Sequence, residues 1–303
     1  LNNNVHIPVL LHQVLAFLKP TSGDVVLDCT LGAGGHAKEI AKLIGPNGHL
    51  YGIDADERNL SIAKENLKDI SNITFIHDNF ENLEEIGERV LKERGAVHGI
   101  LMDLGLSSLH IDQPERGFSH RFEGPLDMRF DPRQNLTAAD IVNTYSIKDL
   151  QELFSTYSQE RYAHRIAKRI ADDRPFTTTS ELKSSIEASV PLAPRRRWRI
   201  PGRKGVHPSV TRVFQALRIA TNREIEVLGH GLHGAVNVLS PGGRIVVISY
   251  HSVEDRIVKN VFRDAKKEGQ LELLTKKPLE ADTEETATNV RARSAKLRAA
   301  RKV

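Results

Sequence analysis

Residues 24–36, Asp24-Val-Val-Leu-Asp28-Cys-Thr-Leu-Gly32-Ala-Gly34-Gly35-His36, constrain the fold more than any other stretch of this chain. An apolar run of strand type ends in a carboxylate and passes through glycines into a helical segment. Glycine admits left-handed backbone angles and lets a ligand approach where a Cβ would repel it. The helix that follows presents unpaired N–H groups to the same ligand. Asp54 closes the next strand-like run, His49–Asp54, at about the 20-residue separation where an acid takes ribose hydroxyls. Together Asp28, Gly32, Gly34, Gly35 and Asp54 outline a site for a nucleoside-bearing ligand. The plainer alternative is an ordinary strand-to-helix corner.

The rest of the chain repeats this rhythm. Strands are predicted at Val25–Cys29, Leu50–Asp54, Ile73–His77 and Gly99–Asp103, and helices at His36–Ile44, Arg58–Asn66 and Leu83–Glu93. Alternation of this kind makes a parallel α/β sheet of Rossmann-like type. Right-handed crossovers then bring Asp28, Asp54, His77 to Phe80 and Asp103 to one edge. After Asp103 the rhythm stops, and it resumes at Pro241–Ser249. The intervening segments Thr137–Asn143, Ile147–Ser155, Gln159–Asp172 and Thr179–Val190 are helical in pattern, and Thr178 or Thr179 is placed to cap the last. We therefore expect a sheet domain from 1–106 and 211–303, with 107–210 as an inserted α-helical lobe. Val210–Leu228 reads as one amphipathic helix, Leu271–Leu274 and Ala295–Ala300 as edge strands, and Lys276–Thr288 as a solvated loop or a disordered run.

With 303 residues and 39% hydrophobic content, the chain buries a substantial core. Its one cysteine, Cys29, excludes an intrachain disulfide and points to a reducing, cytoplasmic setting. No apolar run reaches the ~20 residues of a membrane helix. The formal charge is only +4, yet cations cluster. Arg195, Arg196, Arg197 and Arg199 surround Trp198, with Arg203 and Lys204 close behind and no acid among them. Phosphate contact with base stacking is the functional reading, and a solvated basic loop the plainer one. Arg161, Arg165, Lys168 and Arg169 recur at helical spacing opposite Tyr162, Ile166 and Ile170, which reads as one cationic and one apolar face, with RNA contact the functional reading and an ordinary amphipathic helix the plainer one.

An acid at the strand end followed by Gly-x-Gly-Gly resembles the cofactor loop of S-adenosylmethionine-dependent methyltransferases. Further motifs narrow this. Asp103-Leu-Gly-Leu-Ser-Ser108, Glu115-Arg-Gly-Phe-Ser119, Pro125-Leu-Asp-Met-Arg129, Phe214-Gln-Ala-Leu-Arg-Ile219 and Ser249-Tyr-His-Ser-Val-Glu-Asp-Arg256 together resemble the bacterial 16S ribosomal RNA cytosine N4-methyltransferase family. The similarity runs from His6 to Leu297. It implies a cytoplasmic enzyme that transfers a methyl group from S-adenosylmethionine to the exocyclic amine of a cytidine in the decoding region of 16S ribosomal RNA, with the small ribosomal subunit as partner. It also assigns Gly34, Gly35, His36, Asp54, Phe80 and Asp103 to cofactor contact. Where the family usually carries Pro-Gln this chain has Leu109-His110, and His110 keeps a place among the cofactor residues through its hydrogen-bonding ring. The run His207–Phe214 is one residue longer than the common pattern.

Asp103, at the end of the fourth strand, is the expected catalytic acceptor for the amine hydrogens. Phe118, Phe122 and Tyr250 are candidates to stack on the target base, and Tyr250 with His251 closes the fifth strand at the same edge. His251 and Glu254 read as a helix start, and no metal is expected. Three alternatives stand beside this reading. One is a nicotinamide dehydrogenase on the same sheet, another a basic ribosome-assembly factor with an idle cofactor pocket, and the third a methyltransferase acting on DNA.

Overall fold

Short apolar runs, the first five ending at Asp28, Asp54, His77, Asp103 and Ser249, build most of the sheet. Its strands are β1 (Val25–Asp28), β2 (His49–Asp54), β3 (Ile73–His77), β4 (Gly99–Asp103), β5 (Arg244–Ser249), β6 (Leu271–Leu273), β7 (Leu279–Glu280) and β8 (Lys296–Lys302). The computed structural model describes residues 8–191 and 206–303. They fall into two compact units, one running to Gly105 and resuming at Ile225, the other from Leu106 to Glu224. Among the described residues no helix is long and apolar enough to cross a membrane.

The first unit holds the sheet, in the order β3-β2-β1-β4-β5-β8-β6, with β7 also paired to β8. Strands β1 to β5 are parallel, and β8 runs antiparallel to β5, β6 and β7. Order reverses between β1 and β4, since β2 and β3 extend the sheet one way and β5 the other. Alternate residues feed opposite faces, as the pleat requires. Leu27, Ile53, Ile100, Met102 and Val247 pack on one face against Leu83, Ile86 and Val90 of helix Leu83–Arg94 and Leu232 of helix Glu224–Val238. Val26, Leu50, Leu101 and Val246 pack on the other against Ile40 and Ile44 of helix Gly35–Ile44 and Leu60 of helix Glu57–Asn66. Both faces are covered, which is why these strands read as continuous apolar runs.

Several expectations need correction here. Ala295–Ala300 is no edge strand: β8 lies between β5 and β6, and the Arg298 guanidinium grips both carboxylate oxygens of Asp255 on helix Ser252–Lys267, at 2.7 and 3.1 Å. Lys276–Thr288 is not a plain loop either. It contains β7 and a short helix, Thr283–Thr288, which Asp282 caps by accepting from the Glu285 N–H at 2.8 Å. Polar composition concealed a good N-cap. A helix at Leu11–Leu18, with Val14 and Leu18 buried, had no distinct cap to announce it.

In the second unit the helices are Ala138–Thr144, Ile147–Ser158, Ala163–Asp173, Thr179–Ser189 and Pro208–Thr221, with a short turn of helix at Ser108–Asp112. The predicted Gln159–Asp172 helix starts later, because Gln159 takes φ 52° and ends the helix before it. Val210–Leu228 is two helices, broken where Arg223 adopts φ 48°. Helix Pro208–Thr221 belongs to this unit and not, as the division at 211 has it, to the sheet, because Val210, Val213, Phe214, Ala216 and Leu217 are buried among the other helices of the unit.

Two of the motifs turn out to hold this unit together. Arg116 donates to the carbonyls of Arg129 and Phe130 at 2.8 and 3.2 Å, and its own carbonyl accepts from the Met128 N–H at 3.0 Å. Asp127 and Arg129 form a bidentate pair, at 2.9 and 2.7 Å. Asn222 then reaches across from its helix, accepting from the Phe130 N–H and donating to the Met128 carbonyl, both at 2.8 Å. Buried polar groups here are paired with backbone, which fixes the path of an otherwise irregular loop.

Candidate active site

The carboxyl ends of β1 and β4 flank the point where strand order reverses, the usual position for a ligand crevice in an open α/β sheet. Asp28 ends β1 and is almost fully buried, and the Thr30 N–H donates to its Oδ1 at 3.2 Å. Burial is the main reason its carboxyl is pushed up to about 7, and the nearby Asp103 and Asp54 carboxylates push the same way. Three acids thus share one neighbourhood, which favours a cationic ligand over an anionic one.

Asp54 does more than close β2. Its Oδ2 accepts from the Gly32 N–H at 2.8 Å and its Oδ1 from the Asp56 N–H at 2.8 Å, while the Asn59 side-chain amide donates to both oxygens at 3.3 and 3.2 Å. The two residues that the sequence singles out 22 positions apart are therefore bonded to each other. Gly34, at φ 85°, makes the turn into helix Gly35–Ile44, and a Cβ there would come within 2.7 Å of the Leu67 side chain. Space and backbone angle both require glycine.

Asp103 sits at the end of β4. Its N–H donates to Thr30 Oγ1 at 2.6 Å, its Oδ1 accepts from the Tyr250 hydroxyl at 2.7 Å, and its Oδ2 lies 3.7 Å from His36 Nδ1. Burial pushes this carboxyl above its ordinary value, opposed by His36 and by the Tyr250 hydrogen bond. The same burial and the Asp103 charge push the Tyr250 phenol well up, so it remains a donor at neutral pH. His36 is itself buried, with Nε2 3.0 Å from the Val9 carbonyl. The result is a carboxylate with one oxygen fixed by a phenol and the other turned toward an imidazole.

Of the remaining sequence-based site residues, Phe80 lies in the first unit, with its ring against helix Glu224–Val238; a Cβ on Gly231 would come within 2.5 Å of it. His251 caps helix Ser252–Lys267, its Nδ1 accepting from the Glu254 N–H at 3.3 Å and its Nε2 3.0 Å from Glu254 Oε1. Glu254 in turn accepts from the Tyr250 N–H at 2.8 Å, which ties this cap to the residue that holds Asp103. Tyr250 is thus placed by its hydroxyl and not displayed as a stacking face.

His110 and Phe118 are placed in the second unit. Both are buried there, in an aromatic group with Phe130 whose ring centroids are 5.0 to 5.3 Å apart. Phe118 is core of that unit; Phe122, by contrast, is 45% exposed. Arg195, Arg196, Arg197, Trp198 and Arg199 lie outside the described residues. Sequence reasoning missed Thr30, which positions Asp103, and its signal is a Thr two residues past a strand-terminal Asp; Glu254, read as part of a helix start, sits in that cap and also accepts from the Tyr250 N–H.

A family model described as the MraW methylase family matches residues 3–303. A ribosomal RNA small subunit methyltransferase H from Dehalococcoides mccartyi is 44% identical over 315 residues, covering 98% of this chain and 86% of that protein. Proteins of the same name from Halothermothrix orenii and Carboxydothermus hydrogenoformans are each 44% identical, over 316 and 317 residues, covering 98% of this chain and 98% of each relative.

Proposed function

Since the chain belongs to the MraW methylase family, we infer that it transfers a methyl group from S-adenosylmethionine to the exocyclic N4 amine of a cytidine in the decoding region of 16S ribosomal RNA, within the small ribosomal subunit. The observation that carries this reading is the Asp103 carboxylate, held by the Tyr250 hydroxyl at 2.7 Å at the point where strand order reverses.

The residues around it fit the methyl donor. Asp54, at the end of β2, is the acid for a ribose diol, Phe80 offers an apolar ring for a base, and Asp28 and Asp103 supply negative charge for cationic centres. When bound, S-adenosylmethionine supplies a methyl carbon on a positively charged sulfur. The protein's task is to hold the amine close to that carbon and in line with the bond that breaks.

The cytosine amine is a poor nucleophile because its lone pair is delocalised into the ring. Asp103 accepts a hydrogen bond from the amine, which favours a pyramidal nitrogen with its lone pair free to attack. Tyr250 keeps the carboxylate from rotating. The bound donor would supply the methyl carbon, with the C–S bonding pair left on sulfur, while Asp103 and Tyr250 hold the amine in line. The methylated amine, now strongly acidic, releases its extra proton to water, so no dedicated general base is needed.

Asp28 makes the first contact pH-dependent. With its carboxyl near 7 in the ligand-free protein, a cation bound beside it favours the ionised form and draws the value down. Binding around pH 6 to 7 then releases a proton, and affinity rises with pH until the free protein is ionised as well. We expect S-adenosylmethionine to bind more tightly at pH 8 than at pH 6, and Asp28→Asn to flatten that dependence. Calorimetry in two buffers of different ionisation enthalpy measures the proton release directly; equal heats in both would count against this role for Asp28.

The reading as a whole is tested by transfer of labelled methyl to small ribosomal subunits from cells lacking this gene, followed by mass spectrometry of the nucleosides. N4-methylcytidine is the expected product. Tight S-adenosylmethionine binding with no label on subunits or free RNA would overturn it in favour of a non-catalytic RNA-binding factor.

A further inference from the structure

Helix Ala163–Asp173 buries Ala163, Ile166, Ala167 and Ile170 in the core of the second unit. Its other face exposes His164, Arg165, Lys168 and Arg169. These residues and Asp172 line a groove of about 300 Å³, whose remaining lining is Ala188 and Ser189 at the end of helix Thr179–Ser189. Ser189 turns its hydroxyl inward to the Ile186 carbonyl at 2.7 Å. The charge in the lining, Arg165, Lys168, Arg169 and Asp172, is therefore all on helix Ala163–Asp173, and Ala188 and Ser189 add none.

The cations are not equivalent. Arg169 is paired with Asp173 at 2.6 Å, and Arg161, just before the helix, stacks its guanidinium 4.5 Å from the Tyr162 ring centroid. Arg165 and Lys168 have no ion pair among the described residues. An unpaired, exposed Arg and Lys on one wall of a groove attract a polyanion more than a single small anion, because they are spread along the helix at ~1.5 Å per residue. Among the described residues the lining holds no Phe, Tyr or Trp, and its one ring, the His164 imidazole, has its Nδ1 2.9 Å from Gln151 Oε1, so phosphate contact outweighs base stacking here. Contact here is with backbone phosphate and is indifferent to sequence.

We propose that this groove binds the phosphodiester backbone of RNA, with Arg165 and Lys168 each neutralising one phosphate; the proposal rests on the rRNA methyltransferase reading above. Its role is to hold the substrate in register while the base is selected elsewhere. Asp172, in the same lining, opposes the contact.

The test uses the full chain, with KM for small ribosomal subunits measured across a salt series and binding of a single-stranded RNA oligonucleotide measured alongside. Arg165→Gln with Lys168→Gln should raise KM about tenfold at physiological salt and reduce the slope of log KM against log salt by about 1.4, at ~0.7 per phosphate of a single strand. The value of kcat and the affinity for S-adenosylmethionine should not move. Asp172→Asn should act in the opposite sense and lower KM about twofold, a gain that misfolding cannot produce. An unchanged KM and slope in the double variant would overturn the groove while leaving methyl transfer intact. If wild-type protein transfers no methyl to rRNA yet binds the oligonucleotide through these residues, the transfer reading falls and the groove stands. Competition by polyglutamate as effective as by RNA would also overturn it, since an acidic protein surface would then be the better partner.

Discussion

Asp103→Asn lowers kcat for methyl transfer about a thousandfold and weakens S-adenosylmethionine binding by no more than about tenfold, the share of one of the two acids that face the donor's cationic centres. The substitution keeps the shape of the side chain and one oxygen for the Tyr250 hydroxyl, which now lies 2.7 Å from Oδ1. It removes the charge and replaces the second acceptor by a donor, which repels the amine hydrogens it has to receive. Asp28 and Asp54 remain to hold the donor, so binding and chemistry separate. Single-turnover transfer and calorimetry on the same preparation measure the two; a variant that turns over within tenfold of wild type would remove Asp103 from the reaction. Tyr250→Phe is the informative companion. The phenol's hydrogen bond lowers the Asp103 carboxyl, so its loss raises that value and moves the acid limb of the pH–rate profile upward. A tyrosine that merely filled space would slow the reaction, if at all, without moving the limb.

The second large effect is on stability. Gly117→Ala destabilises the second unit by about 3–5 kcal/mol, from two penalties that add. Gly117 has φ 70°, a left-handed angle that costs a residue with a Cβ roughly 1–2 kcal/mol. A Cβ there would also stand 2.0 Å from the Pro125 carbonyl oxygen and 3.0 Å from the Asp127 nitrogen. Both are backbone atoms held by the ladder of contacts between the Arg116 and Met128 segments, so they cannot step aside as a side chain would. Gly95→Ala is the control, since φ is 81° there but nothing lies within 4 Å, and it should cost only the angle. Hydrogen exchange resolves the outcome: amides of 106–191 and 206–224 should lose protection in Gly117→Ala while those of β1 and β4 keep it. Equal protection in both variants would mean that the loop relaxes without resistance.

What could be read from the chain in advance was what local chemistry encodes. Strands β1 to β4 announce themselves because each is an apolar run, buried on both faces in β1 and β4, and ended by an acid, a histidine or a glycine turn. The bond from the Gly32 N–H to Asp54 joins two residues that spacing alone had paired. Nothing about an arginine signals a left-handed angle, so the periodicity of Val210–Leu228 reads straight through Arg223, where φ is 48°. Ala295–Ala300 reads as an edge because Lys296 and Arg298 interrupt the apolar run that a covered strand shows. Its burial comes from β5 on one side and β6 with β7 on the other, partners that sequence does not name. Tyr250 is the most instructive case. Its position beside the crevice was legible, whereas its use was not, because whether a tyrosine offers its ring or its hydroxyl depends on where Asp103 points.

The interruption of the sheet by the second unit also sets a timetable during synthesis. Gly99 of β4 is registered against Arg244 of β5, so β4 waits for its neighbour while the intervening chain is made, roughly 7–30 s at 5–20 residues per second. Throughout that interval a nascent chain with four strands in place carries an unpaired β4 edge, the kind of surface on which chains join the wrong partner. The second unit, continuous in sequence, can finish its own core in the same period. Even β5 does not end the exposure, for β8, the last strand to emerge, is the one that covers it. Aggregation in a cell-free system should therefore depend on whether ribosomes stall before β5, between β5 and β8, or after.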